Sequence, residues 1–299
     1  MKVLVTGADG FVGTHLVRTL RARGEVVDAC GGPGGPAELE ITSWPAVRAR
    51  VIASQADAII HLAGLSSVAR SHEQVATTLS VNVLGAANLF EAVKQHAREA
   101  RVLLIGSGEA YGAIPEGQRA REIDTLQPLS PYAASKVAAE ILARQMVLAY
   151  GLQIVLVRPF NHLGAGQAPG FVVPAIARQL LDVMNGRAEP LIAVGDLSPV
   201  RDFSHVLDVI EGYLLLLERG VPGEIYNVCS GEPRRIRDLL DELQRLLGTR
   251  AEVRVDAHRL RPVEIPWLVG DPGKVEALGW RRRRTVREAL QDVLEELRA

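Results

Sequence analysis

The N-terminal stretch constrains the fold most. An apolar run, Val3–Thr6, ends in Thr6-Gly7-Ala8-Asp9-Gly10-Phe11-Val12-Gly13 and leads straight into an amphipathic segment, Phe11–Arg23. A glycine loop between a strand and a helix has a physical use. Gly7 permits a tight turn, Gly10 lets backbone approach a pyrophosphate, and Gly13 lets helix and sheet come close. The helix N-terminus that follows attracts phosphate. The spacing is G-x-x-G-x-x-G rather than G-x-G-x-x-G.

The pattern then repeats. Further strands are expected at Val26–Cys30, Ala58–Ala63, Val102–Gly106 and Ile154–Arg158. Helices are expected over Pro45–Ser54, Ser71–His96 with a break near Ser80-Val81, and Pro131–Tyr150. Such alternation predicts an α/β fold with a Rossmann-type, doubly wound parallel sheet covered on both faces. After Phe160 the periodicity changes. A loop at Gly164–Gly170 precedes a helix at Phe171–Leu181, a strand at Leu191–Val194, a helix at Asp208–Arg219 and a strand at Ile225–Val228. Another helix at Ile236–Leu247, a short strand at Arg254–Asp256 and an amphipathic helix at Val286–Leu297 follow. No Pro/Gly/Ser linker separates the halves. The expected organisation is a dinucleotide-binding domain at 1–160 and a smaller α/β substrate-binding domain at 161–299, with segments near 203–229 returning to the first. A cleft between them would hold ligands.

Bulk properties exclude some classes. A net charge of −1 and an aromatic content of 4% supply neither a basic field nor stacking platforms for nucleic acid. The run Arg281–Arg284 is short, and the acidic helix carrying Glu288, Asp292, Glu295 and Glu296 offsets it. No apolar run is long enough to span a bilayer, and Met1-Lys2 leads into a strand rather than a signal peptide. Cys30 and Cys229 have no redox or metal spacing, and no metal site is expected. A reducing cytoplasm is the simplest compartment.

The chemistry is concentrated in Ser130-Pro131-Tyr132-Ala133-Ala134-Ser135-Lys136. Tyr132 and Lys136 lie one helical turn apart, hence on one face. Ser130 can cap that helix, with Pro131 at its first position. An ammonium beside a phenol lowers its pKa, and such a tyrosine can exchange a proton at a carbonyl. Ser107 ends the fourth strand in Gly106-Ser107-Gly108-Glu109-Ala110-Tyr111-Gly112, where parallel sheets place ligands. Its hydroxyl can bond a substrate carbonyl. Tyr111-Gly112 reads as packing and a turn.

Together the glycine loop, the Asn82 segment, Ser107 and the Tyr132/Lys136 pair resemble extended short-chain dehydrogenases/reductases, from Met1 to about Arg158. The second half is similar to the GDP-4-keto-6-deoxy-D-mannose reductases of that group. The likeness lies in Arg158–Gly164, Gly170–Pro174, Val200-Arg201-Asp202-Phe203, Tyr226–Gly231 and Arg261-Pro262-Val263-Glu264. The resemblance implies NADPH or NADH as cofactor, held by Gly7, Gly10, Phe11, Val12, Gly13, Glu40, Ile41, Ala63, Gly64, Asn82, Tyr132 and Lys136. It implies Ser107, Tyr132 and Lys136 as catalytic, with Glu109 matching the base of related 4,6-dehydratases. It implies a GDP-sugar substrate near Ser107, Glu109, Asn161, Val172, Arg178, Arg201, Arg261 and Glu264. It also implies a homodimer paired through helices near Val83–His96 and Pro131–Tyr150. Reduction of the 4-keto group to GDP-D-rhamnose is the expected reaction; 4,6-dehydration of GDP-mannose and epimerisation of another sugar nucleotide are the alternatives. NAD against NADP stays open. Cys30-Gly31-Gly32 holds no acid at the tip of strand two, Asp28 comes two residues early, and the local sequence has no Arg or Lys for a phosphate. His162 and His205 are expected to satisfy local backbone groups.

Overall fold

A computed structural model describes every residue except Pro33, Pro36, Arg261, Pro262 and Ala299. The first half runs β1 (Lys2–Thr6), α1 (Phe11–Ala22), β2 (Val26–Cys30), α2 (Trp44–Ser54), β3 (Ala58–His61), α3 (Val68–Glu73), α4 (Val75–Leu79), α5 (Gly85–His96), β4 (Arg101–Ile105), α6 (Pro131–Tyr150) and β5 (Ile154–Pro159). The second runs β6 (Asn161–Leu163), α7 (Val172–Met184), β7 (Leu191–Val194), β8 (Val200–His205), α8 (Val206–Arg219), β9 (Ile225–Val228), β10 (Pro233–Arg235), α9 (Ile236–Leu247), β11 (Glu252–Val255), β12 (Trp267–Leu268), α10 (Gly273–Ala277) and α11 (Val286–Arg298).

Six parallel strands form the main sheet in the order β2-β1-β3-β4-β5-β9. Strands covered on both faces read as continuous apolar runs, because each successive side chain meets a different helix layer. Leu4, Ile59, Val102, Leu104, Ile154 and Leu156 pack towards α2, α5 and α6 through Val47, Leu89, Phe90 and Ala143. Val3, Val5, Ile60, Leu103, Val155 and Val157 pack towards α1 and α8 through Leu16, Leu20, Val209 and Tyr213. The chain order reverses at β1, which lies between β2 and β3. Open α/β sheets bind ligands outside the carboxyl ends of the strands at such a reversal, and here the glycine loop occupies that place.

The second half builds a small sheet on β8, which pairs with β6, β10 and β12, beside a two-stranded β7-β11 unit. A separate core of Val173, Ile176, Leu180, Leu239, Leu243, Leu290 and Val293 joins α7, α9 and α11. The chain crosses back through α8 and β9, which complete the main sheet.

Four details differ from the sequence expectations. The long helix expected over Ser71–His96 is α3, α4, a π-helical turn at Ser80–Leu84, and α5. The third strand stops at His61 rather than Ala63, and the strand expected at Arg254–Asp256 is β11, paired with β7. Strand β8 was not expected, since Val-Arg-Asp-Phe-Ser-His is largely polar. It is nonetheless fully buried. Asp202 makes that tolerable: its carboxylate accepts from Ser230 N and Oγ at 2.7 Å each, Gly231 N at 2.8 Å and Gly270 N at 3.3 Å. Buried polar groups need such partners.

Replacing Asp202 by Ala strands these donors. The expected loss is about 3 kcal/mol of stability, read as a lower urea midpoint, with Asp202→Asn losing less.

Candidate active site

The glycine loop is held by close approaches. Gly7 has φ +70°, and a methyl there would lie 2.7 Å from the Ala63 backbone nitrogen. Only glycine fits that turn without strain. Gly10 is the N-cap of α1, with no side-chain cap and no acid in the first turn. A methyl on Gly10 would crowd Gly7 O at 3.3 Å. Gly13 has a different use from the one expected: a methyl there would strike Gly7 O and the Ala8 backbone, so it seats the helix against its own loop rather than against the sheet. An uncapped helix start behind three closely packed glycines fits a pyrophosphate. Val12 joins the core below, and the Phe11 ring stacks on His162, with centroids 5.8 Å apart.

The wall beyond β3 is built from polar contacts. Asn82, buried in the π-helical turn, accepts from Leu65 N at 2.8 Å and donates to Leu65 O at 3.1 Å and Ser135 Oγ at 2.8 Å. Ser135 Oγ donates in turn to Tyr132 O at 2.7 Å. A methyl on Gly64 would meet Asn82 Oδ1 at 2.9 Å and Lys136 Nζ at 3.4 Å, so Gly64 leaves room for that lysine. Thr6 Oγ1 and His61 Nδ1 share a 2.8 Å hydrogen bond, and burial beside Lys136 pulls the His61 pKa down to about 3. Glu40 is exposed, and its carboxylate accepts from Thr42 N at 3.0 Å and Thr42 Oγ1 at 2.6 Å. Ile41 is buried against Gly85, and its carbonyl accepts from Asn88 at 3.0 Å.

Ser107, Tyr132 and Lys136 come together where β4 meets α6. Ser130 caps α6 by accepting from Ala133 N at 3.1 Å, which fixes the turn that carries Tyr132. The Ser107 side chain stands close enough to the Tyr132 phenol to favour its ionised form. Ser107 also caps a short 3₁₀ turn by accepting from Glu109 N at 3.2 Å. Lys136 Nζ donates to Ile105 O at 2.9 Å and stands 6.0 Å from the Tyr132 ring centroid. The expected lowering of the phenol is not what the structure gives. Burial pushes Tyr132 up to about 12, Ser107 pulls it down in part, and the Glu109 charge pushes it up. Lys136 is lowered to about 8 by burial, opposed by the Glu140 carboxylate.

Glu140, one turn beyond Lys136, was missed by the sequence reading, although the i, i+4 spacing on α6 signals it. It forms a buried pair with Arg158 of β5, with Nη2 to Oε2 at 2.8 Å and Nε to Oε2 at 3.1 Å. The Arg158 guanidinium lies 4.8 Å from the Tyr111 ring centroid, and Tyr111 OH donates to Asn227 Oδ1 at 2.7 Å.

The expected substrate residues separate. Arg201 is buried in β8 and ion-paired with Glu264. Asn161 opens β6, beside Phe203 of β8, and Val172 opens α7. Arg178 is not brought to the Ser107–Tyr132–Lys136 cluster; it is exposed and lines a pocket with Asp182, Asn185 and Arg187, at the other end of α7 from Val172. Arg261 lies outside the described residues. His162 Nδ1 bonds Phe160 O at 2.9 Å, and His205 caps α8 by accepting from Leu207 N at 3.1 Å, as expected of both. The structure also brings Arg50 of α2 to β2, 3.2 Å from Asp28 Oδ1, a cation the local sequence did not suggest. Among the described residues no group of His, Cys, Asp and Glu could hold a metal.

Replacing Glu140 by Gln leaves Arg158 buried without its counter-charge. A loss of about 3 kcal/mol in denaturant unfolding is expected. Removing the carboxylate also lowers the Lys136 pKa, so the alkaline limb of the pH profile of kcat/KM moves to lower pH.

Comparison with known proteins agrees with this geometry. The model of the NAD dependent epimerase/dehydratase family matches residues 3–229. The GDP-6-deoxy-D-mannose reductase of Pseudomonas aeruginosa is 35% identical over 299 residues, covering 98% of this chain and 96% of that one. A dTDP-glucose 4,6-dehydratase of Streptomyces griseus is 30% identical, covering 82% of this chain and 78% of its own. Among solved structures, RMD from Pseudomonas aeruginosa complexed with NADPH superposes with a TM-score of 0.90 at 33% identity, over 99% of each chain. The UDP-glucose 4-epimerase of Thermus thermophilus in complex with NAD gives 0.89 at 31%, over 100% of this chain and 99% of the other. With the loop, the serine and the tyrosine–lysine pair in one place and the family model matching most of its length, this chain belongs to the NAD dependent epimerase/dehydratase family of extended short-chain dehydrogenases/reductases.

Proposed function

We propose that the protein reduces the 4-keto group of GDP-4-keto-6-deoxy-D-mannose with NADPH or NADH, giving GDP-D-rhamnose. The observation that carries this is the Ser107–Tyr132–Lys136 cluster on a chain similar end to end to a GDP-6-deoxy-D-mannose reductase. The bound cofactor supplies hydride to the carbonyl carbon. Ser107 holds the carbonyl oxygen, and Tyr132 gives it a proton as negative charge develops there. A phenol with a pKa near 12 stays protonated at neutral pH until that charge appears. Lys136, charged below about pH 8, then stabilises the phenolate until water restores its proton. The second body, 161–299 apart from α8 and β9, binds the GDP-sugar in this reading. Asn161, Val172 and the Arg201–Glu264 pair are its candidate contacts, as arginine suits a diphosphate.

Glu109 favours one second reading. Its charge acts on Tyr132, where the base of a 4,6-dehydratase would stand. Purified protein mixed with the keto-sugar and reduced cofactor should oxidise one cofactor per sugar; folded protein that oxidises neither NADH nor NADPH defeats the proposal. Tyr132→Phe should reduce kcat about 10³-fold. Glu109→Gln should leave reduction within a few-fold of wild type, whereas a GDP-mannose dehydratase would lose its activity.

We also propose a cytoplasmic homodimer paired through α5 and α6. Leu84 is 47% exposed at the head of α5, and Ile141 and Leu148 are 64% and 83% exposed on α6, an apolar face suited to a second copy. Both cysteines are free and buried, which suits a reducing compartment. Among the described residues no helix is long and apolar enough to cross a membrane. Sedimentation at micromolar concentration should give a dimer, and Ile141→Glu with Leu148→Glu a monomer.

A further inference from the structure

The tip of β2 is where a doubly wound fold meets the adenosine ribose, usually with an acid that accepts from the 2′-hydroxyl. Here Cys30-Gly31-Gly32 offers no polar side chain of its own. The charge arrives from the glycine loop after β1. Ala8 N donates to Cys30 O at 2.9 Å, which ties the glycine loop to the end of β2. The next residue, Asp9, then reaches across, and its Oδ2 accepts from Gly32 N at 3.0 Å. A methyl built on Gly31 would lie 2.9 Å from both Cγ and Oδ2 of Asp9, and one on Gly35 would lie 3.4 Å from Oδ2. The Asp9 carboxylate therefore fills the space that a side chain just past β2 would take, and the glycines there are what admit it.

We infer that Asp9 is the ribose-reading acid of this chain and makes it prefer NADH to NADPH. The inference rests on the reading that a nicotinamide dinucleotide binds at the glycine loop. One Gly32 amide leaves most of the carboxylate's acceptor sites unused, and a ribose 2′-hydroxyl can donate to them. A 2′-phosphate would bring two negative charges against a third. Among the described residues, the neighbouring charges do not offset this. Glu38 adds a carboxylate that accepts from Gly34 N at 3.0 Å, and the Arg50 cation at β2 is held by Asp28. The preference would set this chain apart from its Pseudomonas aeruginosa relative, whose solved structure carries NADPH.

Direct titration calorimetry of the full chain with NADH and with NADPH tests this without turnover. NADH should bind about tenfold tighter or more, since like charges brought together across an interface are strongly disfavoured. Asp9→Asn keeps an acceptor for Gly32 N while removing the charge, and should narrow the NADH-to-NADPH ratio by about tenfold, mainly by improving NADPH. Asp9→Ser should move the ratio the same way. Equal or tighter NADPH binding by the wild-type protein, or an unchanged ratio in both folded variants, overturns the inference alone. Binding of neither dinucleotide overturns it together with the reading beneath it.

Discussion

Two charges with little access to water hold the helix carrying Tyr132 and Lys136 to the main sheet. Glu140 and Arg158 are each about 2% exposed, and neither could stay ionised there without the other. The surroundings are shaped to the pair. Gly106 has no side chain because one would lie 2.5 Å from Glu140 Oε1. Tyr111 lays its ring along the guanidinium and passes its hydroxyl to Asn227 of β9, which donates in turn to Ala120 O at 2.9 Å. One turn nearer the site, Lys136 feels the same carboxylate, which opposes the pull of burial on its ammonium. The ion pair thus sets both where α6 lies and how much charge its lysine retains.

What the sequence made legible follows from what is local. β1, β3, β4 and β5 are apolar runs bounded by turn residues, so the doubly wound sheet and its glycine loop could be read directly. The Tyr132/Lys136 spacing and Ser107 at a strand end were legible for the same reason. β8 was not, because its buried polar residues are made tolerable by partners distant in sequence, such as Ser230 and Gly270 for Asp202. The meeting of Arg50 with Asp28, and of Asp9 with Gly32, depends on strand order and hides in the same way. Helical spacing correctly placed an ammonium near the phenol, but it could not weigh burial, which dominates in the Tyr132 environment. Arg178 fits the motif pattern and is exposed on α7 beside Asp182 and Arg187, and a motif alone does not fix which face a helix buries.

The arginine run at Arg281–Arg284 finds its ion-pair partners far away in sequence rather than in the acidic helix that follows it. Arg284 pairs with buried Asp208 at 2.7 Å, Arg282 pairs with Glu232, and Arg281 donates to the Glu276 and Trp280 carbonyls. The run fastens the segment before α11 to the start of α8. Phe11 against His162 and His15 against Ala165 O at 2.7 Å join α1 to the loop after β6.

The Asn82 contacts have a mechanical meaning. One amide grips both backbone groups of Leu65, and through Ser135 it reaches the Tyr132 carbonyl. The wall beyond β3 and the first turn of α6 are therefore coupled through two buried side chains, Asn82 and Ser135, whose rotamers these bonds hold. A ligand that seats itself against Gly64 and Leu65 also sets the height of the phenol above the cleft. Alignment of proton donor and cofactor wall becomes one degree of freedom instead of two.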